Sequence, residues 1–325
     1  MKGNYTMKKN IFNLLIIMAL VSGCSTPYQA VKGLRTFEEL QYQHPVKKVH
    51  LPVSGYDIAY TDLGSGDKTV IMIHGLGSYL RAWERNITEI SKNARVIAID
   101  LPGYGKSSKQ PHSGAMTFYA GVVNEFIKEL SLKNVVVAGH SMGGQIAMTT
   151  ALKYPNAVRG LILVDPAGFE RFNKGQKQWF REVMTLDGVR LTPADAIQTN
   201  LATNFYRVPK EADFMITDRL AMRSSEDFNA YCYAVVQSVN GMVDEPVIDY
   251  LQDIQVPTLI FFGENDNLIP NRFLNPGLTR DIAQYGASKI KNSKLVMVPK
   301  TGHFMMFEKP EVFNVETINF LKSMK

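Results

Sequence analysis

Val135-Val136-Val137-Ala138-Gly139-His140-Ser141-Met142-Gly143-Gly144 decides how the rest of this 325-residue chain is read. Three β-branched residues in a row suit a strand covered on both faces, and the following Gln145 to Tyr154 suits a helix. Glycines stand two residues to either side of Ser141. A strand that turns into a helix over so few residues strains the serine backbone, and the glycines let the two elements approach closely. The hydroxyl then projects at the C-terminal edge of a sheet. G-x-S-x-G by itself would arise by chance in roughly one chain in ten of this composition. Its position between a buried strand and a helix gives it weight.

Working outward, Val- and Ile-rich runs recur at Lys47–Val53, Asp57–Thr61, Thr69–Ile73, Arg95–Ile99, Asn134–Ala138, Leu161–Val164, Thr258–Phe262 and Lys294–Val298. The later runs are apolar without alternation, as expected where helices cover both faces. Eight strands alternating with helical segments predict an α/β fold: a mostly parallel, doubly wound sheet. The rhythm breaks from about Pro166 to Gln255, where helical segments and turns offer no comparable strand. This predicts a core over residues 46–165 and 256–325, with a helical cap over 166–255 inserted after the sixth strand. Aromatic residues are frequent in the cap, including Phe169, Phe172, Trp179, Phe180, Phe205 and Phe228, and several are expected over an apolar cleft.

A serine hydroxyl is a poor nucleophile at neutral pH and needs a base, for which histidine is suited. Of six histidines, His44 and His50 precede the main sheet and His112 lies in a polar loop. His140 adjoins Ser141, so strand alternation predicts that its side chain points away. His74 ends the third strand and is expected in loop structure. His303, in Thr301-Gly302-His303, follows the last strand and reaches the same sheet edge. Its tautomer requires a carboxylate. Asp266 follows the seventh strand and gives the chain order Ser, Asp, His; Asp165, after the sixth strand, and Glu264 are its rivals. Oxyanion donors are expected from the backbone N–H groups of Leu76, in His74-Gly75-Leu76-Gly77, and of Met142.

From about residue 50 to the end, the chain resembles the α/β-hydrolase superfamily. The resemblance rests on His74-Gly75-Leu76-Gly77, Asp100-Leu101-Pro102-Gly103-Tyr104-Gly105-Lys106-Ser107, the Ser141 turn, the Asp266 loop and the His303 loop, in the family's order. It implies acyl-enzyme hydrolysis of esters or related bonds without a cofactor, and makes the Asp100 stretch a structural loop behind the site. That stretch ends like a phosphate-binding loop, but Asp100 stands where the first glycine is required. No H-E-x-x-H, C-x-x-C pair or dinucleotide fingerprint is present, so neither metal nor cofactor is expected.

The N-terminus reads as a signal: Lys8-Lys9, an apolar run from Ile11 to Val21, then Val21-Ser22-Gly23-Cys24. Eleven residues are too few to span a bilayer as a helix. The last four resemble a bacterial lipobox, which implies removal of residues 1–23, lipidation of Cys24 and anchoring at the cell envelope, with residues 24–45 as a tether. In a Gram-negative cell, Ser25 at the following position directs the expectation to the outer membrane. Met7 is an alternative start. Cys232, the second of two cysteines, then has no disulfide partner and is expected as a small core hydrophobe.

The composition, 45% hydrophobic and 20% charged, is that of a folded globular chain. The formal charge of +6 includes Lys2, Lys8 and Lys9; without them about +3 remains, too little to indicate nucleic acid. No obligate protein partner is evident. The expected activity is hydrolysis of small apolar carboxylic esters, as a carboxylesterase or small lipase. A carbon–carbon bond hydrolase or lactonase would use the same residues, and a binding lipoprotein without catalysis is the reading of another class. Serine at position 141 argues against epoxide hydrolases and haloalkane dehalogenases, which would place aspartate there.

Overall fold

The apolar runs form the middle of one eight-stranded sheet in a computed structural model that describes Tyr28 and residues 30–324. The strands are β1 (Lys47–Leu51), β2 (Tyr56–Leu63), β3 (Thr69–Ile73), β4 (Arg95–Ile99), β5 (Val135–His140), β6 (Gly160–Val164), β7 (Thr258–Gly263) and β8 (Ser293–Val298). Their spatial order is β1-β2-β4-β3-β5-β6-β7-β8. β2 is antiparallel to β1 and β4, and every later pairing is parallel. The expected α/β fold with eight mostly parallel strands is thus the one observed.

Strand pleating divides each central run between two cores. Ile71, Val137, Leu163 and Ile260 face one apolar cluster, whereas Val70, Val136, Ile162 and Leu259 face another. Helices α1 (Glu84–Ile90), α2 (Met116–Glu129) and α3 (Met142–Lys153) connect the first strands. α9 (Thr279–Lys289), α10 (Met305–Glu308) and α11 (Pro310–Ser323) complete the layers. Both faces being buried explains why these strands show no polar alternation. β1 ends at Leu51 rather than at the expected Val53, because a turn through Gly55 leaves Val53 outside the sheet and exposed.

Between β6 and β7 lie α4 (Lys174–Val183), α5 (Leu186–Arg190), α6 (Ala194–Thr203), α7 (Asp213–Met222) and α8 (Phe228–Asp244). α4 starts at a capping box in which Asn173 and Gln176 satisfy each other's backbone N–H groups. α8 packs most deeply: Tyr231, Cys232, Val235 and Val239 are buried. Ser238 Oγ accepts a hydrogen bond from Tyr104 Oη and lies 2.8 Å from Tyr119 Oη as well. Burial pushes the Cys232 thiol up to about 11, in keeping with a core role. Phe169 leads from β6 into the segment and is itself core, its ring 5.9 Å from the Phe262 ring and tilted 37° to it, over Gly286. Truncating such a side chain to alanine costs about 3–5 kcal/mol.

The tether expected over residues 24–45 is corrected in its second half. Phe37 and Leu40 are fully buried, and the Tyr42 hydroxyl donates to Asp100 at 2.6 Å. The same stretch runs along the end of α7: Leu34 N donates to Ala221 O, Glu226 N to Arg35 O, and Phe37 N to the Asp227 carboxylate. It is a strap joining core and inserted helices. Cys24 and the signal lie outside the described residues.

Candidate active site

Ser141 holds φ 54° and ψ −119°, a conformation non-glycine residues adopt at a cost of order 1–3 kcal/mol. The surroundings enforce it. Ser141 N donates to Val164 O at 2.9 Å, while Ser141 O accepts from Gly144 N and Ala167 N. A Cβ at position 143 would lie 2.4 Å from Ile73 O, so only glycine lets α3 start this close to the end of β3. The strain predicted from the sequence is therefore present at the serine itself.

His303 is buried on the loop after β8, and its Nδ1 lies 2.8 Å from Asp266 Oδ2. The other Asp266 oxygen accepts from the backbone N–H groups of Leu268 (2.7 Å) and Ile269 (3.2 Å). This fixes the carboxylate before any ligand arrives. Asn265 N donates to Thr301 O, and Gly302 N donates to Glu308 Oε2, so both loops are held from behind. Ser141, His303 and His140 all line one cavity of about 320 Å³. No hydrogen bond joins Ser141 Oγ to His303 among the described residues; contacts between nucleophile and base of this kind often tighten only when substrate binds.

The rival carboxylates separate cleanly. Asp165 sits beside Asp266 and accepts from Gly263 N through Oδ1, while Oδ2 has no partner. Burial, and secondly the Asp266 charge, hold its carboxyl well above the usual carboxylate range. It makes no hydrogen bond to His303 among the described residues, so Asp266 is the carboxylate that His303 pairs with. Glu264 is turned outward and paired with Arg280 at 3.1 Å. Asp165, Asp266 and His303 have the side-chain types of a metal site. The acceptor atoms of Asp266 are already engaged by His303 and two backbone amides.

Leu76 and Met142, the expected oxyanion donors, lie on either side of the serine. A Cβ at Gly75 would approach Ser141 Cβ to 3.1 Å, so the loop carrying Leu76 lies directly against the serine. Met142 opens α3, where backbone N–H groups lack helical acceptors. Neither N–H donates to another protein group among the described residues. Arg219 and Tyr231 hold the loop from the side by donating to Gly77 O at 2.7 and 2.9 Å.

The expected orientation of His140 is corrected. Its ring lies 4.8 Å from that of His303, and Nε2–H donates to His303 O at 2.9 Å. Burial first, and the nearby His303 second, hold it well below the usual histidine range, so it positions His303 as a neutral ring. His74 is buried with the Leu101 N–H on Nε2, and burial lowers it to about 4. The Asp100 loop behaves as a structural brace, accepting from Leu80 N, Lys106 N and Tyr42.

Sequence reasoning missed Glu170, which lines the cavity and accepts from Asn271 N at 2.7 Å. It also missed Gln145, whose amide donates to Met242 O and Glu245 O and so ties α3 to α8. Neither stands in a recognisable motif. Of the aromatics expected over the serine, Phe172 and Phe180 do line the cavity, with Val239, Met242, Leu268 and Ile269. Phe205 instead stacks on Phe304, and Phe169 is buried below.

The family model described as alpha/beta hydrolase fold matches residues 68–310, well over half of the chain. The chain belongs to the alpha/beta-hydrolase family. This alpha/beta-hydrolase is 26% identical over 271 residues to the 2-hydroxy-6-oxononadienedioate/2-hydroxy-6-oxononatrienedioate hydrolase of Escherichia coli K12, covering 81% of this chain and 90% of the relative. It superposes on a probable hydrolytic enzyme from Pseudomonas aeruginosa PAO1 with TM-score 0.79 and 25% identity, over 90% of this chain and 99% of the other. An esterase from Exiguobacterium antarcticum gives TM-score 0.71 and 26% identity, over 83% and 97%. Some relatives are longer. The chain spans 34% of the dihydrolipoyllysine-residue acetyltransferase component of the acetoin cleaving system of Cupriavidus necator, matching 39% of its own length at 36% identity. It spans 65% of a probable 1-acylglycerol-3-phosphate O-acyltransferase of Oryza sativa. The fold and the hydrolase relatives support a hydrolase.

Proposed function

We propose that this alpha/beta-hydrolase is a serine esterase that cleaves carboxylic esters with apolar acyl groups through an acyl-enzyme. The pairing of His303 Nδ1 with Asp266 at 2.8 Å, beside a strained Ser141 on the same cavity, carries the reading. Ser141 Oγ attacks the ester carbonyl as His303 Nε2 takes its proton, and the N–H groups of Leu76 and Met142 receive the oxyanion. His303 then protonates the departing alcohol. Water, deprotonated by the same nitrogen, attacks the acyl-enzyme, and its collapse releases the acid and restores Ser141. Phe172, Phe180, Val239 and Met242 form the apolar wall for the acyl group.

The test is hydrolysis of p-nitrophenyl esters from acetate to palmitate, beside Ser141→Ala. Turnover that disappears in the variant is expected; no turnover of any ester by folded protein would contradict the reading. Carbon–carbon bond hydrolysis is favoured by the Escherichia coli relative. Turnover of a 2-hydroxy-6-oxodienoate in the absence of esterase activity would select it.

We further propose a lipoprotein at the bacterial envelope, from the lipobox-like Val21-Ser22-Gly23-Cys24. Labelling by palmitate in cells that Cys24→Ser abolishes is the expected result. Among the described residues, no helix is long and apolar enough to cross a membrane.

A further inference from the structure

A second chamber of about 310 Å³ adjoins the Ser141 cavity, and the two share Leu76, Asn200, Asn204 and Phe304 as their common boundary. Its walls are mostly apolar, with Met184, Val189, Ile197 and Met222 among them, yet two arginines, Arg219 and Arg223, also line it. No aspartate or glutamate does. Neither arginine forms an ion pair among the described residues, in contrast to Arg81 on the 3-10 turn Leu80–Trp83, which is paired with both Glu84 and Asp218.

Arg219 is half-buried, with its guanidinium 4.6 Å over the Tyr231 ring and one N–H on Gly77 O. Most of its five donors remain free. Arg223 is exposed while lining the chamber, and so marks its open side. The Ser141 cavity has the opposite polarity: Glu170 lines it and no lysine or arginine does. Of the two, the second chamber is therefore the more favourable place for an anion. A guanidinium fork recognises phosphate or carboxylate, and the surrounding apolar wall suits an alkyl chain.

We infer that the second chamber binds the anionic end of an amphiphilic substrate, a phosphate or carboxylate held by Arg219 and Arg223 while the scissile ester lies at Ser141. The inference rests on the esterase reading for what happens to the substrate, but the binding itself does not. An ester of this class reaches across the Leu76–Phe304 boundary, with its acyl group against Phe180 and Met242 and its charged alcohol portion beyond.

The test is calorimetric binding of octyl phosphate, octanoate and 1-octanol to the full chain in non-ionic detergent. None of the three is a carboxylic ester, so none is turned over, and a parallel p-nitrophenyl butyrate assay reports separately on the esterase reading. At least one anionic probe is expected to bind about tenfold tighter than octanol. Comparing octyl phosphate with octanoate shows which anion is preferred. Arg223→Gln, an exposed substitution, is expected to weaken that preference about threefold, and Arg223→Lys to keep most of it. Arg219→Gln is expected to weaken it further. Equal affinity for anion and alcohol would overturn the inference. So would a preference that survives Arg223→Gln and Arg219→Gln together.

Discussion

The C-terminal edge of the sheet and helices α4–α6 line the same pair of adjoining cavities but are built in opposite ways. β3, β5, β6 and β7 are buried at every residue. In α4, α5 and α6 no residue is buried, and Trp179, Val183, Leu186 and Leu191 remain substantially exposed. Ser141, Asp266 and His303 all stand on loops leaving the first region; Phe180, Ile197 and Asn200 come from the second. A rigid edge holds chemistry to within a fraction of an ångström, whereas a loosely supported wall can change its lining without unfolding the molecule. Reaction type and substrate choice are thus carried by different parts of the chain.

If the division is right, the sharpest break comes at the sheet edge. Asp266→Asn keeps the side-chain shape but removes the charge that orients His303, and is expected to lower kcat about 10³- to 10⁴-fold in ester hydrolysis. Asp165→Asn, in the next loop, changes a carboxyl that makes no hydrogen bond to His303 among the described residues, and is expected to stay within about threefold of wild type. Equal losses in the two variants would remove the distinction drawn between these carboxylates.

Hydrogen exchange probes the mechanical half of the comparison. Amides of β5, β6 and β7 are expected to exchange at least about 10³-fold more slowly than those of α4–α6. Uniform protection across both would mean that the inserted helices are as firmly held as the core. Phe180→Ala then addresses selectivity. The ratio of kcat/KM for long over short acyl esters is expected to fall about tenfold, with acetate hydrolysis nearly unchanged.

The part of the fold legible in the sequence was the part governed by local rules. Val- and Ile-rich runs placed β3 and β4 to the residue because burial on both faces demands such runs. His303 and Asp266 were legible through chain order and position after strands. Long-range packing was not. Leu34 and Phe37 look like tether residues until Ala221 and Asp227, nearly two hundred positions away, supply their partners. His140 was misread because strand alternation ceases to apply at the Ser141 turn, where the φ of 54° swings the chain and leaves its ring against His303. Arg219, Arg223 and Glu170 sit in no pattern; only the cavities they line give them meaning.

Smaller effects follow from the buried titratable groups. Asp165 is raised in the folded state, so its favourable contribution is complete below its unfolded value and is lost as pH rises through the folded one. Asp165→Asn is therefore expected to flatten the decline of Tm as pH rises above about 4. His74 and His112 are lowered to about 4 by burial, so their contribution is present above about 6.5 and is lost as pH falls toward 4. Thermal melts from pH 4 to 9 measure both limbs. An Asp165→Asn profile that parallels wild type across the whole range would contradict the first assignment.

The most direct test of the central claim is labelling with a fluorophosphonate, followed by peptide mass spectrometry. One adduct per chain on Ser141, formed rapidly by the wild type and at least about 10³-fold more slowly by His303→Ala, is the result expected of a serine activated by this histidine. No adduct on folded protein, or an adduct on a different serine, would contradict it.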